Sequence, residues 1–77
     1  MEGLEGFDDA TLLTMWLACD EGCTIIISEE DVQLISRGYL KRISNNFAQP
    51  TPKLLGLKDA LEVWHALYDQ TMNELML

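Results

Sequence analysis

The last third of the chain constrains the rest. From Leu57 to Met76 no glycine or proline interrupts the sequence, and Leu57, Leu61, Trp64, Tyr68, Thr71 and Leu75 recur at spacings of four and three. On an α-helix that period draws one continuous apolar seam. Ala60 and Leu67 widen the seam on one flank and Met72 on the other, while Lys58, Glu62, His65, Asp69 and Asn73 fall on a polar face. A helix of about 20 residues, rising about 1.5 Å per residue, is a rod of roughly 30 Å, the width of a small domain. The seam is shorter than the roughly three to four heptads of a coiled coil. The rest of the chain is therefore expected to cover it, leaving the rod's edge at Val63, Ala66 and Met76 open.

Upstream, two more helices are expected. Asp8 or Asp9 is a suitable N-cap, because a short carboxylate accepts the free N–H groups of a first turn and complements the positive helix end. A helix from about residue 9 to 20 follows, with Leu12, Leu13, Trp16, Leu17 and Cys19 inward and Thr11, Thr14 and Ala18 outward. Gly22 stops it, since glycine reaches the left-handed conformation that closes a helix. Ser28 with Asp31 three residues on is a shorter relative of the capping box, and Ile27 with Val32 makes a hydrophobic staple. That predicts a helix over about 29–44, with Val32, Ile35, Tyr39 and Ile43 as its stripe and Leu34 exposed or touching a partner. Gly38 inside it implies a close helix crossing or a kink.

Between these elements, Cys23–Ile27 is rich in β-branched residues and favours extended backbone. It is read either as a connection whose isoleucines plug the core or as a strand pairing with its copy in a dimer. Residues 46–56 hold both prolines and read as a loop, with Thr51 capping a short turn from Pro52 to Leu55 and Gly56 as a joint. The fold class expected is all-α: a compact three-helix bundle (about 9–20, 29–44 and 57–76) forming a single domain over 1–77. Residues 1–6 are a flexible lead-in from which Leu4 or Phe7 reaches the core. The core expected is Trp16, Ile25, Ile27, Val32, Ile35, Tyr39, Ile43, Leu57, Leu61, Trp64, Leu67 and Tyr68.

At 77 residues, a single domain buries only about 60 % of its unfolded surface, so stability is marginal and a homodimer would help. The longest apolar run, Met15 to Cys19, is far below the roughly 20 residues of a membrane span. No basic residue precedes an apolar stretch at the N-terminus, so no secretory signal is read there. Two cysteines are too few for a disulfide scaffold. A cytoplasmic protein is expected.

Charge carries the functional reading. The net charge is −8; residues 1–31 hold nine acids and no base, residues 32–58 all five bases and no acid. Such a field repels nucleic acid over most of the surface. Three acidic clusters, including Asp8, Asp9, Asp20, Glu21, Glu29, Glu30 and Asp31, are the candidate protein-binding residues. If they converge, they present carboxylates to a basic partner, as a DNA mimic does.

The reading is a small acidic regulator or inhibitor, of the kind found in phages and mobile elements, masking a basic surface of a nucleic-acid-handling protein. An assembly subunit acting through its own oligomer is the alternative. A metal or redox module built on Cys19 and Cys23 is a third; with only His65 as a further soft ligand, it lacks the four that structural zinc wants. Glu62, His65 and Asp69 share a helix face, and Arg37, Lys41 and Arg42 with Tyr39 could form a basic strip, yet both patterns are ordinary on solvated helices. No phosphate loop, G-x-S-x-G or H-E-x-x-H is present, and no enzyme activity or cofactor is expected.

Overall fold

Two glycines with left-handed backbone divide the first half of the chain. The computed structural model describes residues 3–76, with the side chain of Met76 outside the description. Glu2 and Leu77 therefore fall outside it. Helix α1 spans Asp9–Glu21, with Asp8 at its N-cap and Gly22 (φ 80°) at its end. Helix α2 spans only Glu29–Ser36. Gly38 (φ 85°) is not inside that helix but just beyond it. The Gly38 N–H donates to Ile35 O (3.1 Å) and the Tyr39 N–H to Leu34 O (2.9 Å). This is the paired bonding of a Schellman stop.

The three-helix expectation fails at this point. Released from the helix, the chain continues as a hairpin. Strand β1 is Thr24–Ile25, β2 is Leu40–Arg42 and β3 is Phe47–Pro50. They form an antiparallel sheet in the order β1-β3-β2. A four-residue helix α3, Pro52–Leu55, leads to α4, Lys58–Met76. The protein is mixed α and β, not an all-α bundle. Cys23–Ile27 reads as a core-plugging connection or as a strand pairing with a second copy; in the structure Thr24–Ile25 pairs with β3 of the same chain instead. Nor is 46–56 a loop throughout, since Phe47–Pro50 is the central strand.

Register explains how a proline ends a central strand. Lys41 pairs with Gln49 and Leu40 with Pro50, while Thr51 N–H donates to Tyr39 O and Ile43 N–H to Phe47 O. In antiparallel pairing, alternate residues turn both backbone groups to the same neighbour. The Pro50 nitrogen therefore faces β1, but β1 ends at Thr24, opposite Ala48. No ladder bond is lost. The Thr51 hydroxyl donates to Gly38 O and Tyr39 O, which fastens α3 to the hairpin. It does not cap α3.

The core comprises Leu4, Leu12, Met15, Ala18, Cys19, Leu34, Leu40, Ala48, Leu54 and Leu61. Helix α1 is its centre, packing against α2, α3, α4, β1 and β3. The predicted faces shift accordingly. Ala18, expected outside, is fully buried, and Leu34 is 2 % exposed. Ile25, Ile27, Val32, Ile43 and Leu67, expected inside, are exposed. With α2 eight residues long, the inward set is Asp31, Leu34 and the half-buried Ile35. The stripe extrapolated through Tyr39 and Ile43 belongs to a helix that has already ended. Leu4 joins the core from the lead-in.

Helix α4 packs mainly on α1, with the Trp16 and His65 rings stacked 3.6 Å apart. From Asp69 to Leu75 every residue is exposed, and the molecule measures 40 × 23 × 21 Å. No helix among the described residues is long and apolar enough to cross a membrane.

Candidate functional site

The capping pair Ser28 and Asp31 folds as the sequence implies, while Ile27 and Val32 of the expected staple stay exposed, and the capping removes one candidate from the binding surface. Asp31 is 2 % exposed. Its Oδ2 accepts the N–H groups of Ile27 (2.9 Å) and Ser28 (3.1 Å), while Ser28 Oγ accepts the Asp31 N–H (3.3 Å). That reciprocal box fixes how the chain leaves β1 and starts α2. Asp8 does the same task for α1 in the open, accepting the Thr11 N–H at 2.8 Å. Hydrogen bonding from Thr11, by its side chain first and its backbone second, holds the Asp8 carboxyl below its ordinary value.

These two helix starts border one furrow built of three adjoining hollows. The largest, about 390 Å³, has Thr14, Leu17 and Glu21 of α1 on one side and Cys23, Ile25, Ile27 and Phe47 on the other. The next, about 280 Å³, shares Thr14, Ile27 and Asp31 with it and adds Asp8, Thr11 and Glu30. The third, about 210 Å³, shares Asp8, Thr11 and Glu30 and runs on to Gln33 and Arg37. The first is the apolar end: Ile25 is 53 %, Ile27 82 % and Phe47 41 % exposed. Apolar side chains this open, grouped beside a hollow of this size, are the usual sign of a docking surface.

All three acidic clusters thus reach the same furrow, through Asp8, Glu21 and Glu30, with the capping Asp31 lining its floor beside Glu30. Asp9, Asp20 and Glu29 are exposed but line none of these hollows. Ile25 and Ile27 escaped sequence reasoning because β-branched residues read as core, and Phe47 because it falls in the stretch that reads as a proline-containing loop. The available signal was the hairpin itself: Gly38 as a helix stop, then Asn45-Asn46 between Ile43 and Phe47.

The other candidates disperse. Cys19 is buried and Cys23 half-buried, both free thiols; burial pushes the Cys19 thiol up, with Lys58 opposing and Glu62 adding. No group of three or more His, Cys, Asp or Glu among the described residues could hold a metal ion. His65 is stacked on Trp16 rather than joined to Glu62 and Asp69 in a site. The basic strip is not helical: Arg37 caps α2, Lys41 and Arg42 lie on β2, and Arg42 donates to Asn45 O at 2.9 Å. Tyr39 is held between Phe7, edge-on at 5.6 Å, and the Lys53 ammonium, 4.4 Å above its ring. Comparison with family models, curated proteins and solved structures finds no match.

Proposed function

We propose that this protein is a protein-binding regulator that holds a basic, partly apolar surface of its target in the furrow between α1 and the β1–α2 segment. The supporting observation is the co-location of exposed Ile25, Ile27 and Phe47 with Glu21, Glu30 and Asp8 along one continuous depression. Apolar contact would supply affinity, while the carboxylates steer a basic partner and reject acidic ones. Pure phosphate mimicry fits less well, because Asp31 is committed to a cap and the largest hollow is apolar. The target class that fits best is a nucleic-acid-handling protein, whose basic surface the furrow would occupy in competition with nucleic acid. Two free thiols accord with a reducing, cytoplasmic setting.

The test is comparative capture from the cells of origin. Wild type is set against Glu21→Lys/Glu30→Lys and against Ile25→Ser/Ile27→Ser, each confirmed folded by circular dichroism. One partner retained by wild type and lost by both variants, and displaced from that partner by an oligonucleotide, is expected. A captured set unchanged by both variants refutes the reading.

A second reading, assembly through α4, has its own observation. Leu67, Met72 and Leu75 are exposed, the latter two on the stretch where the helix leaves the body. Light scattering across concentrations tests it; a strict monomer at all of them rejects it.

A further inference from the structure

We infer that the open edge of β1 accepts an extended, basic-flanked segment of the partner as a fourth strand of the sheet. The inference rests on the docking reading above and specifies its mode. Ile26 N–H donates to Asn46 O at 2.7 Å, and Thr24 pairs with Ala48. These two residues therefore face β3, and the intervening Ile25 turns its N–H and C=O away from the sheet. The Phe47 backbone opposite Ile25 agrees: its carbonyl accepts Ile43 and Ser44 N–H groups on the β2 side, and its N–H goes to Ser44 Oγ.

The two sheet edges differ in the way that matters. The outer edge of β2 carries Lys41 and Arg42, the charges by which proteins block edge pairing. The β1 edge carries Ile25, with Ile27 just beyond, and no charge or proline between Cys23 and Ile27. The largest hollow runs along that edge, so a strand laid there would place alternate side chains against Leu17, Ile25 and Phe47.

Charge selects the occupant. The β1 segment is bracketed by Asp20 and Glu21 on one side and Glu29 and Glu30 on the other. An antiparallel second copy would lay the acidic end of one chain against the opposite acidic end of the other. A segment with Lys or Arg flanking alternating β-branched residues meets attraction at both ends instead.

The probe is a synthetic peptide, Arg-Lys-Val-Thr-Val-Thr-Val-Lys-Arg with blocked ends, titrated into the full chain. Its counterpart is N-methylated at the five central residues, which keeps side chains and charge but removes the ladder donors. At least tenfold weaker binding of the methylated peptide is expected, along with at least tenfold slower hydrogen exchange of the Ile25 amide in the unmethylated complex. Ile25→Ala keeps the outward N–H and Ile25→Pro removes it, both without the exposed side chain, so the proline variant should keep the fold by circular dichroism and bind at least tenfold more weakly than the alanine variant. If the proline variant does not fold, the methylated peptide and the Ile25 amide decide.

Equal binding of both peptides, each weakened by Glu21→Lys/Glu30→Lys, overturns strand addition and leaves the docking reading standing. No binding of the unmethylated peptide at millimolar concentration counts against both. A solution dimer that protects the Ile25 amide assigns the edge to a second copy and overturns the proposal.

Discussion

Truncating Asp31 to alanine should cost far more than truncating any neighbouring acid. Its Oδ2 accepts two backbone N–H groups, from Ile27 at 2.9 Å and Ser28 at 3.1 Å. A hydrogen bond to a charged group is worth about 1.5–3 kcal/mol net. Ile27 and Ser28 are exposed, so water recovers part of each loss, and roughly 2–3 kcal/mol in total is expected from the lower end of that range. A chain of 77 residues at about 0.05–0.15 kcal/mol per residue holds about 4–12 kcal/mol altogether. The variant therefore loses about a sixth or more of its stability. Its Tm falls by about 8–24 °C, at about 4–8 °C per kcal/mol for a domain this size.

Ser28→Ala removes the other half of the box and costs about 1 kcal/mol. The double variant costs less than the sum, because each partner orients the other. Glu30→Ala, exposed and uncommitted, stays within about 0.5 kcal/mol of wild type. Urea unfolding followed by the fluorescence of Trp16 and Trp64 measures all four. An Asp31→Ala loss below about 0.5 kcal/mol, or one no larger than that of Glu30→Ala, refutes the assignment of Asp31 to the fold.

Leu34→Ala should cost about 2–5 kcal/mol in the same assay, since Leu34 is 2 % exposed. Leu67→Ala, at 54 % exposure, stays within about 0.5 kcal/mol; reversed values would mean that α2 continues as a helix past Gly38. Gly38→Ala should lower stability by about 1–2 kcal/mol through backbone strain. The nearest atom to an added Cβ there is Lys53 Cδ at 4.0 Å, so Gly38→Asn, which tolerates positive φ, recovers part of the loss. For Asp8 the folded pKa lies below its ordinary 3.8. The cap thus adds stability that is present above that value and lost as pH falls through the lower folded pKa. Unfolding curves between pH 2 and 5 should show a shallower pH slope for Asp8→Ala than for wild type. Equal slopes would place the acid sensitivity elsewhere.

The parts legible in the sequence were those whose chemistry is local. Asp8, Gly22, the Ser28–Asp31 box and the uninterrupted run into α4 each act within a few residues, and each element boundary they imply is found within one or two residues. Gly38 carried the same kind of information and was misread, because its neighbours keep a helical apolar spacing through Tyr39 and Ile43. That spacing fits a strand hairpin equally well over so few residues. The furrow was legible only as three acidic clusters, of which Asp8, Glu21, Glu30 and the capping Asp31 arrive.

By itself the sequence determined where helices start and stop, because capping oxygens, left-handed glycines and the helix dipole act on the adjacent turn. It also set the acidic field of the N-terminal third. Only the tertiary structure decided that β1 finds β3 in its own chain, that α1 and not α4 lies at the centre, and that Ile25, Ile27 and Phe47 face outward. Those outcomes depend on register between segments more than twenty residues apart. A shift of one residue there would exchange the inward Thr24 and Ala48 with the outward Ile25 and Phe47, since side chains alternate along a strand. Burial of Ala48 against α1 is what selects between the two.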